Sequence, residues 1–456
     1  MSDDGFRAHL VRAVGRGLVC LLGVFPVCFL SSPARAQQAA TTPASFEPAD
    51  YNTARFALHT DLSEPDAKAL LKRLDVTLKS AVRLFGLPSR QPIESFVVER
   101  LDQWSAESFT HPAARLLIGG VGGGSVSSGY DTNINTPRKA TVFAAATEGI
   151  PEHEIVHAYC VQTFGQTGPT WFAEGIAEML ANGGEDHAAV RCSTKVIDYL
   201  RGETPRPLDE IVGGDEFTAP LAASLITMVA RHDSKGRLTD VVSMDQWKDE
   251  QAEIVDAARL SYHWCWSACH FLHQHPAYNA RFKLLARSYV AGQDVQFDQA
   301  FAPVRDQLDF EYRFFMERLA SGYRVDLCAW DWRDPCLPKS GARRQTVKIG
   351  ACRGYQATGV KLHKGDCVAF EASGDWQLSA EGAALDADGD GFGQGQLEGV
   401  LFNAGELSEP FDLGRSGEFA APMEGKLYLR CRDGWGELAD NRGAIRVNLR
   451  PADPRD

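Results

Sequence analysis

The sequence has no apolar run long enough to cross a bilayer. The stretch from Gly17 to Leu30 falls short of the roughly 20 residues a spanning helix needs. Basic residues are in deficit: 47 Lys and Arg face 60 Asp and Glu, a formal net charge of −13. That balance argues against nucleic acid or an anionic membrane as partner. Among 11 cysteines no pair has C-x-x-C spacing, so no structural zinc knuckle is indicated. Neither Cys20 nor Cys28 sits in a convincing lipobox, which argues against a lipid anchor. What remains is ordinary globular composition, 44% hydrophobic and 23% charged, with room for two or three domains.

The N-terminal residues read as a targeting segment. Arg7, Arg12 and Arg16 precede the apolar run, and Ala34-Arg35-Ala36 offers a cleavage site before Gln37. Residues 1–36 are expected to be a signal peptide, with an uncleaved anchor as the alternative. The protein is then expected to be secreted or periplasmic, with no stable membrane insertion after signal removal. Loss of four arginines and two aspartates moves the formal charge from −13 to −15. Nine cysteines stay behind, an odd number, in a compartment that permits disulfides. Cys328–Cys336 is the expected local staple, and Cys265 and Cys269 are expected to be reduced core residues. Residues 37–50, rich in Ala, Thr, Pro and Gln, read as a disordered leader.

Chemistry concentrates between His153 and Glu178. His153-Glu154-Ile155-Val156-His157 is an H-E-x-x-H pattern. Residues four apart share a helix face, so both imidazoles can reach one metal ion. Glu154 lies beside them as a general base. Two histidines leave a zinc site incomplete, and a third protein ligand is needed. Gly165 and Gly168-Pro169 supply a turn, and Thr170 is expected to cap a second helix. That helix carries Trp171-Phe172-Ala173-Glu174-Gly175-Ile176-Ala177-Glu178. Glu174 is the expected third ligand, with Glu178 as the alternative. Otherwise Glu178 would accept a hydrogen bond from a ligand histidine. Together the two segments resemble the gluzincin metallopeptidases, whose aminopeptidase branch follows H-E-x-x-H with W-x-x-E-G-x-A. The resemblance implies zinc on His153, His157 and Glu174, with Glu154 as general base. The spacing between the segments is slightly shorter than in the best-known members. No motif for a substrate's N-terminal amine is present, so exopeptidase activity does not carry over.

Around that core the chain reads as an α+β, zincin-like catalytic domain over 51–329, a small β-sheet followed by a mostly helical second half. Arg55–His59, Ile93–Val98 and Thr141–Ala144 are expected strands. A helix is expected from Ser63 to Gly86, with Leu70, Leu74 and Leu78 at helical spacing. The glycine-rich run Gly119–Gly124 is either a flexible loop or an edge where an extended substrate could add as a strand. A further helix is expected over Ala257–His273. Gluzincins often take an oxyanion-stabilising Tyr or His from such a downstream helix, which makes Tyr262 the candidate.

Residues 330–346 read as a linker. Beyond them short alternating segments between glycine-rich turns indicate an antiparallel, jelly-roll-like β-sandwich over 347–452. Strands are expected at Gly359–Leu362, Cys367–Glu371, Lys426–Cys431 and Ala444–Leu449. Asp386-Ala387-Asp388-Gly389-Asp390-Gly391 begins like a calcium loop but has Leu397 where an EF-hand has Glu. The segments Thr358-Gly359-Val360, Lys364 to Val368, Ala372 to Trp376, Leu397 to Leu401 and the loop Asp433 to Gly443 resemble the bacterial calcium-dependent galactose-binding lectins. That resemblance implies calcium on Asp433, Asp440 and Asn441, with Glu437 adjoining, and galactose-type glycans as partners. Two functions are thus in view. One is a zinc peptidase acting on a peptide or protein and targeted by a glycan-binding domain. The other is a carbohydrate-binding or adhesive surface protein with a vestigial zinc domain.

Overall fold

The structure is a computed structural model that describes residues 48–128, 138–183, 188–213, 260–332 and 344–452. The expected signal peptide and Cys336 lie outside these residues. The architecture is mixed α and β, and the chain divides into two compact units. No helix among the described residues is long and apolar enough to cross a membrane.

The first unit is built on a five-stranded sheet ordered β1-β2-β3-β5-β4. Its strands are β1 (Ala49–Asn52), β2 (Phe56–Thr60), β3 (Ile93–Val98), β4 (Gly123–Ser128) and β5 (Lys139–Ala145). The central pairs β2–β3 and β3–β5 are parallel, while the outer strands run antiparallel. Helix α1 (Glu64–Phe85) connects β2 to β3. Ser63 caps its start, Pro65 occupies the first turn, and Gly86 at φ 88° ends it. Leu70, Leu74 and Leu78 are buried along one stripe. β3 and β5 are buried nearly throughout, as central strands covered on both faces are. Phe96, Val98 and Phe143 gather with Trp104, Phe109, Leu117 and Tyr262 into one cluster. The glycine-rich run, open between loop and edge in the sequence, ends in edge strand β4, paired to β5 with Gly123 opposite Ala144.

Helix α2 (Ile150–Phe164) follows β5, and α3 (Thr170–Asn182) follows α2. Pro169 occupies the N-cap position of α3, where the sequence suggested Thr170. A proline there already holds the extended backbone a cap requires, so Thr170 becomes the first helical residue. Further helices are α4 (Thr194–Gly202), α5 (260–274), α6 (Asn279–Val290) and α7 (Arg305–Glu317).

The second unit holds two antiparallel sheets. One is ordered β10-β9-β13-β7 with β11 also on β9, and the other β12-β8-β14-β6. They comprise β6 (Gln345–Gly350), β7 (Gln356–Leu362), β8 (Cys367–Gln377), β9 (Leu397–Asn403), β10 (Glu406–Leu407), β11 (Phe411–Asp412), β12 (Ser416–Ala420), β13 (Gly425–Cys431) and β14 (Arg442–Pro451). Inward residues of both sheets share one core, among them Ile349, Phe370, Leu401, Leu429 and Val447. β7, β8, β13 and β14 contain the four segments the sequence marked. β9 contains the Leu397–Leu401 segment of the lectin resemblance, which was not expected as a strand because Glu398 and Gly399 interrupt its apolar pattern. Phe411 covers the space a side chain at position 399 would need, 2.7 Å from a built Cβ.

Helix α7 and the start of the expected linker pack on this unit. Phe310, Phe314, Trp330, Tyr355, Val400 and Tyr428 form one buried cluster. The Trp330 ring lies 4.6 Å from that of Tyr428 and 5.1 Å from that of Phe310. Trp330→Ala should therefore destabilise this unit by about 3–5 kcal/mol, seen as a lower denaturant midpoint monitored by far-UV dichroism.

The expected Cys328–Cys336 staple ends at Cys336, outside the described residues. Cys328 forms no disulfide among the described residues. It closes the short helix Val325–Cys328, is buried, and lies beneath Gly354, whose built Cβ would be 3.1 Å from the Cys328 Cα. Burial pushes this thiol up to about 12. Cys265 and Cys269 are also buried thiols, as their sequence context suggested.

Candidate metal centre

The centre begins with how α2 is held. Gly149 precedes it at φ 92°, and the Glu152 carboxylate accepts the Gly149 N–H at 3.0 Å. The other Glu152 oxygen accepts from Arg73 Nε of α1 at 2.6 Å. Near the far end, Gln162 accepts the Ala140 N–H and donates to Ser89 Oγ and Gln91 O. Gly165 at φ 90° then ends the helix. Ile150 to Gln162 are all buried, so α2 has no solvated face. A His-Glu-x-x-His pattern on a solvated surface is thereby excluded.

The structure brings His153, His157 and Glu174 together. The two Nε2 atoms are 3.0 Å apart. Glu174 Oε2 lies 3.2 Å from the first and 3.4 Å from the second. Three ligands at zinc bond lengths on a tetrahedron stand about 3.3 Å from one another. The three atoms thus outline one face of such a tetrahedron. Among the described residues this is the His, Cys, Asp and Glu group whose ligand atoms converge within 4.8 Å. All three residues and Glu154 are at most 2% exposed.

Buried polar atoms ordinarily find partners, and here several do not. Both Glu154 oxygens and both Glu174 oxygens lack a hydrogen bond. A cation bound at the three converging atoms would engage Glu174 and leave Glu154 beside it to meet a water, so the residues fit a metal ion. Burial would lower His153, yet Glu174 and Glu178 raise it well above its ordinary value. Burial would raise Glu174, yet His157 and His153 hold it below. The pocket therefore favours a positive charge. Glu178 Oε1 stands 3.1 Å from His153 Nδ1, on the side of the ring away from Glu174. Burial pushes the Glu154 carboxyl up to about 7, with the two histidines drawing it down.

Two further residues lie near this group. Tyr262 is buried, and its hydroxyl has no hydrogen-bond partner. Burial, and next the Glu174 carboxylate, raise that phenol well above its ordinary value; Glu154 and Glu178 also contribute. Gly123 of β4 abuts the general base. A Cβ built there would lie 2.8 Å from Ile150 Cγ2 and 3.2 Å from Glu154 Cγ. Spacing alone did not reveal Glu152 or Gln162, whereas the glycine-rich run that holds Gly123 stood out as a candidate edge. The Gly149-x-x-Glu152 cap was the one signal that could have exposed Glu152.

The residues of the second acidic loop separate into two sets. Asp433 and Asn441 are buried and joined, Asn441 Nδ2 donating to Asp433 Oδ2 at 2.8 Å. Asp433 Oδ1 also accepts the Gly434 N–H, while Asn441 Oδ1 has no partner. Glu437 and Asp440 face solvent. The earlier acidic loop closes on itself: Asp390 accepts the Phe392 and Gln394 N–H groups, and Asp388 pairs with Arg415. Glu398 is buried and accepts from Tyr355, Arg430 and Arg432.

No protein-family model matches the sequence, and no curated protein matches it. Solved structures similar to it include a PllA-like lectin, the EclA N-terminal domain. That domain is 24% identical over 24% of this chain and 96% of its own, with a TM-score of 0.21. They also include the IMPa metallopeptidase from Pseudomonas aeruginosa, 14% identical over 53% of this chain, with a TM-score of 0.16. A second structure of IMPa, in complex with an O-glycopeptide, is 14% identical over 51% of this chain, also at 0.16. The chain covers 28% of the length of that metallopeptidase. At such scores the chemistry of the centre rests on its own geometry.

Proposed function

We propose that the protein is a zinc-dependent peptidase that works outside the cytoplasm. The observation that carries this reading is the convergence of His153, His157 and Glu174 to 3.0–3.4 Å, with the unpartnered Glu154 carboxylate beside them. A zinc ion there supplies a Lewis acid that polarises a carbonyl and makes water acidic near neutral pH. The chain's own residues do the rest. Glu154 takes the proton of the attacking water and returns it to the leaving amine nitrogen. The Tyr262 hydroxyl donates to the oxyanion that forms on the former carbonyl. Glu178 Oε1, 3.1 Å from His153 Nδ1, would orient that ring by accepting from Nδ1, which leaves Nε2 free to ligate. Edge strand β4 offers its backbone to an extended substrate next to Glu154. Hydrolysis of an unbiased peptide library, lost on chelation and restored by zinc, is the expected result; hydrolysis insensitive to chelation would refute the reading.

We further propose that the two sheets of the second unit form a jelly-roll-like β-sandwich that binds glycan through the loop Asp433–Gly443, with calcium on Asp433, Asp440 and Asn441 and Glu437 adjoining. Support comes from the buried Asp433–Asn441 pair and the unpartnered Asn441 Oδ1. Calcium-dependent retention on a galactose resin is expected, with release by chelator. Passage through the resin at millimolar calcium would remove sugar and calcium from the account. An adhesive protein with a vestigial zinc domain is the weaker alternative, since a vestigial centre need keep neither a full ligand set nor its base.

A further inference from the structure

Helix α3 carries Glu174, Gly175 and Glu178; α5 carries Tyr262, Cys265 and Cys269. The last three share one face, being three and then four residues apart. Gly175 lies where the two helices meet. A Cβ built on it would stand 2.4 Å from the carbonyl oxygen of Cys265 and 2.6 Å from Cys269 Sγ. The first of these is a backbone atom, so no rotamer change relieves the clash. Gly175 has no positive φ, so its backbone conformation does not call for glycine. Glycine inside a helix costs about 1 kcal/mol relative to alanine. The compensating gain is proximity: α3 and α5 meet backbone to backbone, with small thiol side chains opposite the missing Cβ.

That contact has a chemical consequence. Glu174 is the residue next to Gly175, and Tyr262 lies one helical turn before Cys265. Glu174 and Glu154 are among the charges that act on the Tyr262 phenol. We infer that Gly175 is a positioning residue, which sets the reach of the Tyr262 hydroxyl over the metal centre by fixing the separation of α3 and α5. The inference rests on the peptidase reading above. Restoring an ordinary contact at a Cβ requires α5 to retreat by about 1 Å, more than a hydrogen bond of about 2.7 Å tolerates. A methyl group at position 175 should therefore act as though the phenol were gone, while the metal ligands on α2 and α3 stay in place.

The test is a double-mutant cycle in the full chain: wild type, Gly175→Ala, Tyr262→Phe and both together. Each is assayed for zinc stoichiometry, for affinity of the zinc-loaded protein for acetohydroxamate, and for kcat and KM. Zinc should remain at one equivalent throughout. Gly175→Ala should lower kcat about a hundredfold, the scale of one lost oxyanion donor, with KM nearly unchanged. It should weaken hydroxamate binding by the same factor as Tyr262→Phe. In the Tyr262→Phe background it should have no further effect. Loss of zinc in Gly175→Ala, or effects that multiply in the double variant, would overturn the inference. If Gly175→Ala does not fold, Cys269→Val crowds the same contact from α5 and is read the same way. Should the wild type cleave no peptide, the peptidase reading fails, yet the hydroxamate arm still reports whether Gly175 acts through Tyr262.

Discussion

Glu154→Gln is expected to retain zinc and to lose turnover by about 10²–10⁴-fold, the usual worth of a positioned general base. The amide keeps the size and shape of the carboxylate but cannot take a proton. Glu154 holds no convergent position among the three ligand atoms, so zinc affinity should fall little if at all. The Glu154 side chain is fully buried, so no exposed carboxylate stands by to replace it. Because burial already pushes the Glu154 carboxyl up to about 7, the neutral amide should also relieve a buried-charge cost. In the metal-free protein the thermal midpoint of the variant should therefore equal or exceed that of wild type, measured by calorimetry after chelation. A variant that loses both turnover and zinc would place Glu154 among the ligands instead.

Metal removal should have the second large effect. Without a cation, Glu174 and Glu154 remain buried with four oxygens that make no hydrogen bond. One proton on His153 would offset part of that charge, which is the sense in which Glu174 and Glu178 raise it. Zinc at a thousand times its dissociation constant stabilises a folded protein by about 4 kcal/mol. Calorimetry after exhaustive chelation should show a lower midpoint for the first unit, and peptide hydrolysis should cease. Both should return on adding one equivalent of zinc. An unchanged midpoint would mean that the three residues hold no ion.

The parts of this centre that sit close in sequence were legible in it. His153 and His157 are one helical turn apart, and Glu174 follows a turn marked by Gly165 and Gly168-Pro169. Helix α1 was equally open, because Ser63, Pro65 and Gly86 mark its ends and its leucines recur at helical spacing. What the sequence hid was pairing across distance. Arg73 and Glu152 are 79 residues apart, and no local pattern joins them. The same holds for Gly123 against Glu154 and for Gly175 against Cys265, where the information is the lack of an atom. In the second unit, no local pattern marks Glu398 as buried. Its burial depends on Arg430 and Arg432, which arrive from β13 and the residue after it. Trp330, in a Pro-containing polar stretch, read as linker because its partners Phe310 and Tyr428 come from a helix and a strand far from it in sequence.

The central claim is that the buried His153–His157–Glu174 group binds zinc for hydrolysis with Glu154 as the base. Zinc content and peptide-library cleavage, measured side by side on wild type and Glu154→Gln, test it most directly. Both proteins should carry one zinc per chain, and only the wild type should cleave. Zinc in both with cleavage by neither, or cleavage undiminished in Glu154→Gln, would contradict it.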